Sequence, residues 1–295
     1  MESALRQTYT DLEVVVVDNA SEDGTWDACQ QLAREDERVR VFRNKRNLGP
    51  VRNWQRCISE ARGRYGKILF SDDVIYPSYL EATVPWLSNS DVGLVYSAVE
   101  VASRPGAGCP SYRLREHSAL VKKQEFVDAA LYTNHVPVSP SAAVFRLESL
   151  RENLLVDPPG PIDWRSTGAG PDLLLYLLAA VRHRSVAFVH EALAFFRRHS
   201  GSITLSQREQ VFAGYAQAWL WFASSHLDEP MRSQVRALFW LRAVRKNRQM
   251  ASPWRVLRAY GARLDAPGAF VRATLQVAYG RRLGALRGHG DPLKR

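Results

Sequence analysis

The chain has 295 residues, 46% of them hydrophobic, which suits one sizeable packed domain with an appendage, or two small domains, and argues against disorder. Three widely spaced cysteines, Cys29, Cys57 and Cys109, point to neither a disulfide framework nor a zinc site and fit a reducing compartment. The net charge of +10 is local, because Leu205 to Arg295 carries 16 Lys and Arg against 5 Asp and Glu while residues 1–204 carry 24 against 25. A boundary near Leu205 is therefore expected, with residues 1–204 as one domain and 205–295 as a basic helical extension. MESALRQTYT lacks the charged leader and apolar run of a signal peptide. The longest apolar run, Leu173 to Val181, is about half of the roughly 20 residues that a membrane-spanning helix needs.

In chain order, Leu12 to Asp18 (LEVVVVD) is a continuous β-branched run ending in a carboxylate, as expected of a strand buried on both faces of a parallel sheet. NASEDGT, Asn19 to Thr25, is turn chemistry, with Thr25 placed to cap the helix Trp26 to Asp36. Val39 to Phe42 reads as a short strand, Asn44 to Gly49 as a polar loop and Pro50 to Ala61 as a helix. Gly66 to Pro77 (GKILFSDDVIYP) then runs four strand-forming residues into Asp72 and Asp73. The alternation predicts an α/β fold with a wound sheet. Ligands of such sheets bind beyond the carboxyl ends of the strands, where paired carboxylates can hold Mg²⁺ or Mn²⁺ together with phosphate oxygens. The competing reading is that Asp73 only opens a turn before Pro77.

Further along, Ser78 to Ser88 and Glu125 to Tyr132 read as helices, and Val92 to Tyr96 and Ser141 to Arg146 as strands. Ser103 to Pro110 is an exposed loop, and Asp157 to Pro171 an irregular segment of functional length. The helix Asp172 to Val181 follows, then short β runs at Val186 to Val189 and Leu193 to Phe196, and the polar loop Arg197 to Thr204. Val211 to Leu227 is too apolar on all sides for a free surface helix and is expected to pack on the preceding domain. After Met231, arginines interleave with Phe239, Trp240, Trp254 and Tyr260, a composition that suits an anionic membrane surface, RNA, or an ordinary solvated helical face.

Five ordered blocks carry a resemblance: QTYTDLEVVVVDNASEDGT, NLGPVRNW, the SDD triplet at Ser71 to Asp73, GPDLLLYLL, and LAFFRRHSGSIT. Together they resemble bacterial family 2 glycosyltransferases of the GT-A fold, over about two hundred residues. The resemblance implies a Rossmann-like, mainly parallel mixed sheet flanked by helices. It also implies transfer of a sugar from a nucleoside diphosphate donor, UDP- or dTDP-linked, to a polysaccharide or lipid-linked glycan acceptor, with Mn²⁺ or Mg²⁺ as cofactor and inversion at the anomeric carbon.

By the same resemblance, Asp18 and Asn19 would read the nucleotide base, Asn19 standing where an aspartate is common; the alternative is that the pair only forms a turn. Asn47, Arg52 and Asn53 would lie beside the nucleotide, with Arg52 able to fork onto a phosphate or simply be solvated. Asp73 would be the direct metal ligand and Asp72 a contact to ribose or sugar, with Phe70 where the commoner motif has another Asp. Asp172 would be the general base, taking the proton of the attacking hydroxyl, although an acid in the first helical turn is also favoured by the helix dipole alone. Arg197, Arg198 and His199 would close over the diphosphate, with Gly201 as pivot, unless the loop is only solvated.

Members of this family begin with a strand ahead of the helix that carries QTY, whereas this sequence opens inside that helix at Met1 to Arg6. A start placed too late, a fragment, and a nucleotide-binding remnant or scaffold without turnover are the readings left open. The expected location is cytoplasmic, possibly peripheral on the cytoplasmic face of the inner membrane through the basic tail, and no nucleic acid partner is expected.

Overall fold

The computed structural model describes residues 1–260 except 134, 230 and 247–250, together with 268, 271, 272, 274 and 275. The chain opens with α1 (Glu2–Leu5), β1 (Val14–Asp18), α2 (Thr25–Glu35), β2 (Val39–Arg43) and α3 (Pro50–Glu60). Thr25 is the first helical residue and not the cap: Gly24 caps α2 at φ 79°, and the Asp23 carboxylate accepts from the Thr25 N–H (3.2 Å) and hydroxyl (2.6 Å). α3 starts as its sequence demands, with Pro50 pre-set for the first turn behind Gly49.

β3 (Tyr65–Gly66) and β4 (Val74–Ile75) are two residues each, so the strand expected through Lys67 to Phe70 is not a ladder. That stretch satisfies its polar groups with side chains instead. The Lys67 ammonium donates to the Ser141 and Ala143 carbonyls, and the Phe70 N–H donates to the Ser141 hydroxyl (3.0 Å). The predicted helix after Pro77 divides into α4 (Tyr79–Thr83) and a 3₁₀ turn, Val84–Ser88, where Pro85 lacks the N–H that an α-helix would use.

β5 (Val92–Ala102) is twice the expected length, because Ser97 and Glu100 interrupt the apolar pattern without interrupting burial. The elements that the sequence does not anticipate include β6 (Pro110–Ser111), β7 (Ala119–Lys122), which exposes Leu120, and α6 (Leu147–Asn153). Around α6 lie α5 (Lys123–Tyr132), β8 (Ala143–Arg146) and α7 (Pro171–Val181). β9 (Ser185–Arg197) joins the two predicted short runs into one strand, with a register shift opposite Ser97 and Ala98. The chain continues through α8 (Ile203–Ser206), α9 (Arg208–His226), α10 (Met231–Lys246) and α11 (Ala251–Ala259). No helix among the described residues is long and apolar enough to cross a membrane.

Two sheets result. β1 and β2 pair in parallel by themselves, from Val14↔Val39 to Asp18↔Arg43. The second sheet is mixed, in the order β3-β8-β5-β9-β4, with β6 on β5 and β7 on β9; its longest ladder is the parallel pair β5 and β9. Helices cover it, and one apolar core unites Trp164, Leu173, Leu174 and Leu177 with Trp219, Phe222 and Phe239. The basic extension is thus packed onto the residues before it, as the apolar character of Val211 to Leu227 predicted. Most of the arginine-rich stretch after 260 lies outside the described residues.

Candidate functional site

The end of β1 passes into a network of asparagines. Asn19 Oδ1 accepts from Asn44 Nδ2 (3.0 Å) and the Leu48 N–H (2.9 Å), while its Nδ2 donates to Asn47 Oδ1 (2.9 Å) and the Gly49 carbonyl (3.4 Å). Asn44 also donates to Asn53 Oδ1 (2.8 Å), and Asn53 donates to the Val17 carbonyl (3.0 Å), which locks α3 to the strand. Asn19 therefore spends its hydrogen-bonding capacity within the loop that precedes α3. Asp18 is 4% exposed; its carboxylate pairs with Arg43 Nε at 3.0 Å and accepts from the Ser21 N–H at 3.2 Å.

Arg52 faces an open cleft of about 500 Å³ lined by Arg46, Asn47, Leu48, Gly49, Asp163, Arg165 and Ser166. Arg52 and Arg165 both lie 3.7 Å from Asp157, and Arg165 also forks onto Asp163. The irregular segment after Asp157 is therefore the far wall of the cleft. It comes close at Gly49, where a Cβ would stand 3.0 Å from the Arg165 carbonyl.

Asp72 and Asp73 occupy a turn closed by the Asp73 N–H on the Phe70 carbonyl (3.1 Å). The end of β9 lies over it: Arg197 donates its N–H toward Asp73 Oδ1 (3.4 Å) and its Nε to the Asp72 carbonyl (3.2 Å), and His199 Nε2 stands 3.2 Å from Asp72 Oδ2. The Arg198 N–H bonds to the Ala102 carbonyl (2.8 Å), which anchors the segment to β5. Asp72 and His199 are 43% and 42% exposed. Asp73 is more enclosed, and burial pushes its carboxyl up to about 6, against the pull of the Ser141 hydroxyl, the Arg197 N–H and Lys67. Burial also drives the Lys67 ammonium well below its ordinary range.

Asp172 sits in the first turn of α7, 6% exposed. Its Oδ1 accepts from the N–H groups of Gly170 (2.8 Å) and Leu173 (2.7 Å), and Oδ2 from the Tyr215 hydroxyl (2.7 Å). Burial raises its pKa to about 7, and these donors restrain the rise.

Trp54 ties these regions together, and no sequence reasoning singled it out, although it closes the NLGPVRNW block. Its ring stacks on Phe70 at 5.1 Å, ahead of the acidic turn, and lies so close to Gly168 that a Cβ there would be 2.2 Å from it. One aromatic side chain on α3 thus spaces the segment leading to Asp72 and Asp73 from the segment leading to Asp172. Asn44 was also missed, its polarity having read as loop composition. Among the described residues no three His, Cys, Asp or Glu side chains converge as a ready-made metal cluster, so a cation here would draw ligands from substrate as well.

Comparison with known proteins bears on the family and the fold. Residues 1–154 match the family described as Glycosyl transferase family 2. An uncharacterized glycosyltransferase of Haemophilus influenzae is 24% identical over 158 residues, 52% of this chain and 48% of that protein. The UDP-Glc:alpha-D-GlcNAc-diphosphoundecaprenol beta-1,3-glucosyltransferase WfaP of Escherichia coli is 30% identical over 97 residues, 33% of this chain and 38% of that one. The chain spans about half the length, or less, of the curated relatives it matches. Among solved structures, S. aureus TarS 1-349 in complex with UDP superposes with a TM-score of 0.61 at 18% identity, covering 84% of this chain and 67% of that one. That similarity establishes the shared GT-A fold.

Proposed function

Because the chain belongs to glycosyl transferase family 2, we propose that it moves a sugar from a nucleoside diphosphate donor to a polysaccharide or lipid-linked glycan acceptor, with inversion at the anomeric carbon. The observation that carries this reading is Asp172, a carboxylate held by three donors at a helix start and raised by burial to about 7. A general base works best when its pKa lies near the operating pH. Attack by the deprotonating acceptor hydroxyl on one face, with the diphosphate leaving from the other, inverts the anomeric centre. UDP bound to TarS and the diphosphoundecaprenol acceptor in the name of WfaP support a nucleotide donor and a lipid-linked acceptor.

The donor would lie along the cleft beside Asn47 and Arg52, with the asparagine network and Asp18 shaping the loop that meets the base. The Asp72–Asp73 turn suits Mn²⁺ or Mg²⁺. Asp72 offers a half-exposed carboxylate; Asp73, read from the resemblance as the direct ligand, would complete the pair once its proton is lost. When bound, the cation would offset charge on the departing diphosphate. Arg197 and Arg198 would add cationic groups over the same phosphates, and His199 an imidazole beside them.

Calorimetric titration with UDP, with and without Mn²⁺, tests the donor reading. Metal-dependent binding is expected; absence of binding to UDP, dTDP and GDP by the folded protein overturns it. A non-catalytic nucleotide-binding role is the second reading, favoured by the separation of the β1 and β2 pair from the main sheet; binding without transfer to any glycan acceptor would select it. The basic extension is proposed to touch anionic lipid on the cytoplasmic membrane face. Failure to float with anionic vesicles at low salt would refute that contact.

A further inference from the structure

We propose that Tyr215, carried on α9, is the positioning residue of Asp172, its hydroxyl holding Oδ2 so that the remaining lone pair of that oxygen is the one presented to the acceptor hydroxyl. The inference rests on the reading of Asp172 as general base. Oδ1 already receives two backbone N–H groups, so its lone pairs are spent, and Oδ2 accepts from the Tyr215 hydroxyl at 2.7 Å. Without Tyr215 nothing in that contact set would fix the second oxygen.

The seat of α9 is set independently of this bond. Gly214 lies so close to the Ala169 carbonyl that a Cβ would stand 2.2 Å from it. The fully buried Gln217 spans Ile162, accepting from its N–H at 2.8 Å and donating to its carbonyl at 2.9 Å. Tyr260, just beyond α11, donates to the Pro159 carbonyl at 3.1 Å. Helices distant in sequence thereby clasp the segment that leads into α7, and Tyr215 is the member of that clasp that touches the carboxylate. Among the described residues, Tyr176, one turn along α7, and Tyr112, beyond Tyr215, also bear on this pair. Both are phenols, and burial raises the Tyr176 hydroxyl well above its ordinary range.

The test is the Asp172 titration, followed through the ¹³C carboxyl resonance of aspartate-labelled full chain and assigned with Asp172→Asn. In Tyr215→Phe the midpoint is expected to rise by about one unit, a ~10-fold change in acidity, because a donor to the charged form is lost. Tyr215→Leu should produce the same rise and serves if the Phe variant does not fold. Gln217→Ala, which loosens the same segment without touching Asp172, should lower thermal stability and leave the midpoint in place. In turnover, the acid limb of kcat should move up with the midpoint while the donor KM holds. An unmoved midpoint in both Tyr215 variants, or an equal shift in Gln217→Ala, overturns the inference. If Asp172→Asn retains transfer, the base reading fails by itself, and the titration still decides what Tyr215 does to the carboxylate.

Discussion

Asp72 and Asp172 have the same side chain and opposite surroundings. Asp72 lies on a turn, 43% exposed, with the His199 imidazole beside it and the end of β9 above. Asp172 is 6% exposed, lies in the first turn of a helix, and accepts from backbone N–H groups and a tyrosine hydroxyl. The first arrangement leaves a carboxylate near water and near further ligands, as the proposed cation site requires. The second removes water and supplies just enough donors for the carboxylate to ionise close to neutrality, as proton uptake requires. Under the proposed roles, one residue type is fitted to two tasks by its environment.

The largest effect is expected from removing the enclosed carboxylate. Asp172→Asn should lower transfer by roughly 10²–10⁴-fold while UDP affinity, measured by calorimetry, stays unchanged. The same substitution should reverse its sign on stability. Asp172 is raised from 3.8 to about 7, so the folded state holds its proton more tightly than the unfolded one. Native stability should therefore fall as pH rises from about 4 through 7, by on the order of 4 kcal/mol. In Asp172→Asn this part of the slope should vanish, leaving the variant more stable than the parent at pH 8, as melting curves across that range would register. Asp73, raised to about 6, should contribute a slope of the same sign over a narrower window, ending near pH 6, and so a smaller total.

Trp54→Ala would act on both sites at once, since the ring packs against Phe70 and Gly168. A loss of about 3 kcal/mol is expected in denaturant melts, with weaker metal-dependent binding and slower transfer together. Asp73→Asn should separate the two sites. It is expected to weaken Mn²⁺-supported UDP binding by roughly 10- to 100-fold and to leave the Asp172 titration where it was. The smallest effect is expected at Asn19. In Asn19→Asp the second carboxylate oxygen would face the Asn47 Oδ1 and Gly49 oxygens that Asn19 Nδ2 now binds, costing about 1 kcal/mol in melts.

Much of the first half of the molecule is legible in its residues alone. LEVVVVD reads as a strand because an unbroken β-branched run suits extended backbone, although Val14 to Val16 are only half-buried on a two-stranded sheet and not buried on both faces, and Gly49-Pro50 reads as a helix start because proline at the first turn forfeits nothing. The family blocks likewise point to the GT-A fold. Lengths and pairings are less legible. β5 runs on through Ser97 and Glu100 because the Ser97 hydroxyl bonds to the Ala98 carbonyl and Glu100 to the Tyr76 hydroxyl, partners that no periodicity reveals. Lys67 to Phe70 looks like a strand and is not one, because strandness depends on a neighbour to pair with.

The candidate site divides along the same line. The acidic pair after an apolar run, the asparagine-rich loop and the acid that opens α7 are local facts, and the sequence alone marks them. Which lone pairs are spent, which carboxylate is dry, and where each one titrates are decided by residues far away in the chain: Tyr215 lies 43 positions from Asp172, and Arg197 lies 124 from Asp73. Hydrogen bonding and desolvation act over a few ångströms of space and carry no trace in sequence separation. The chemical identity of these groups therefore belonged to the sequence, and their acidity to the fold.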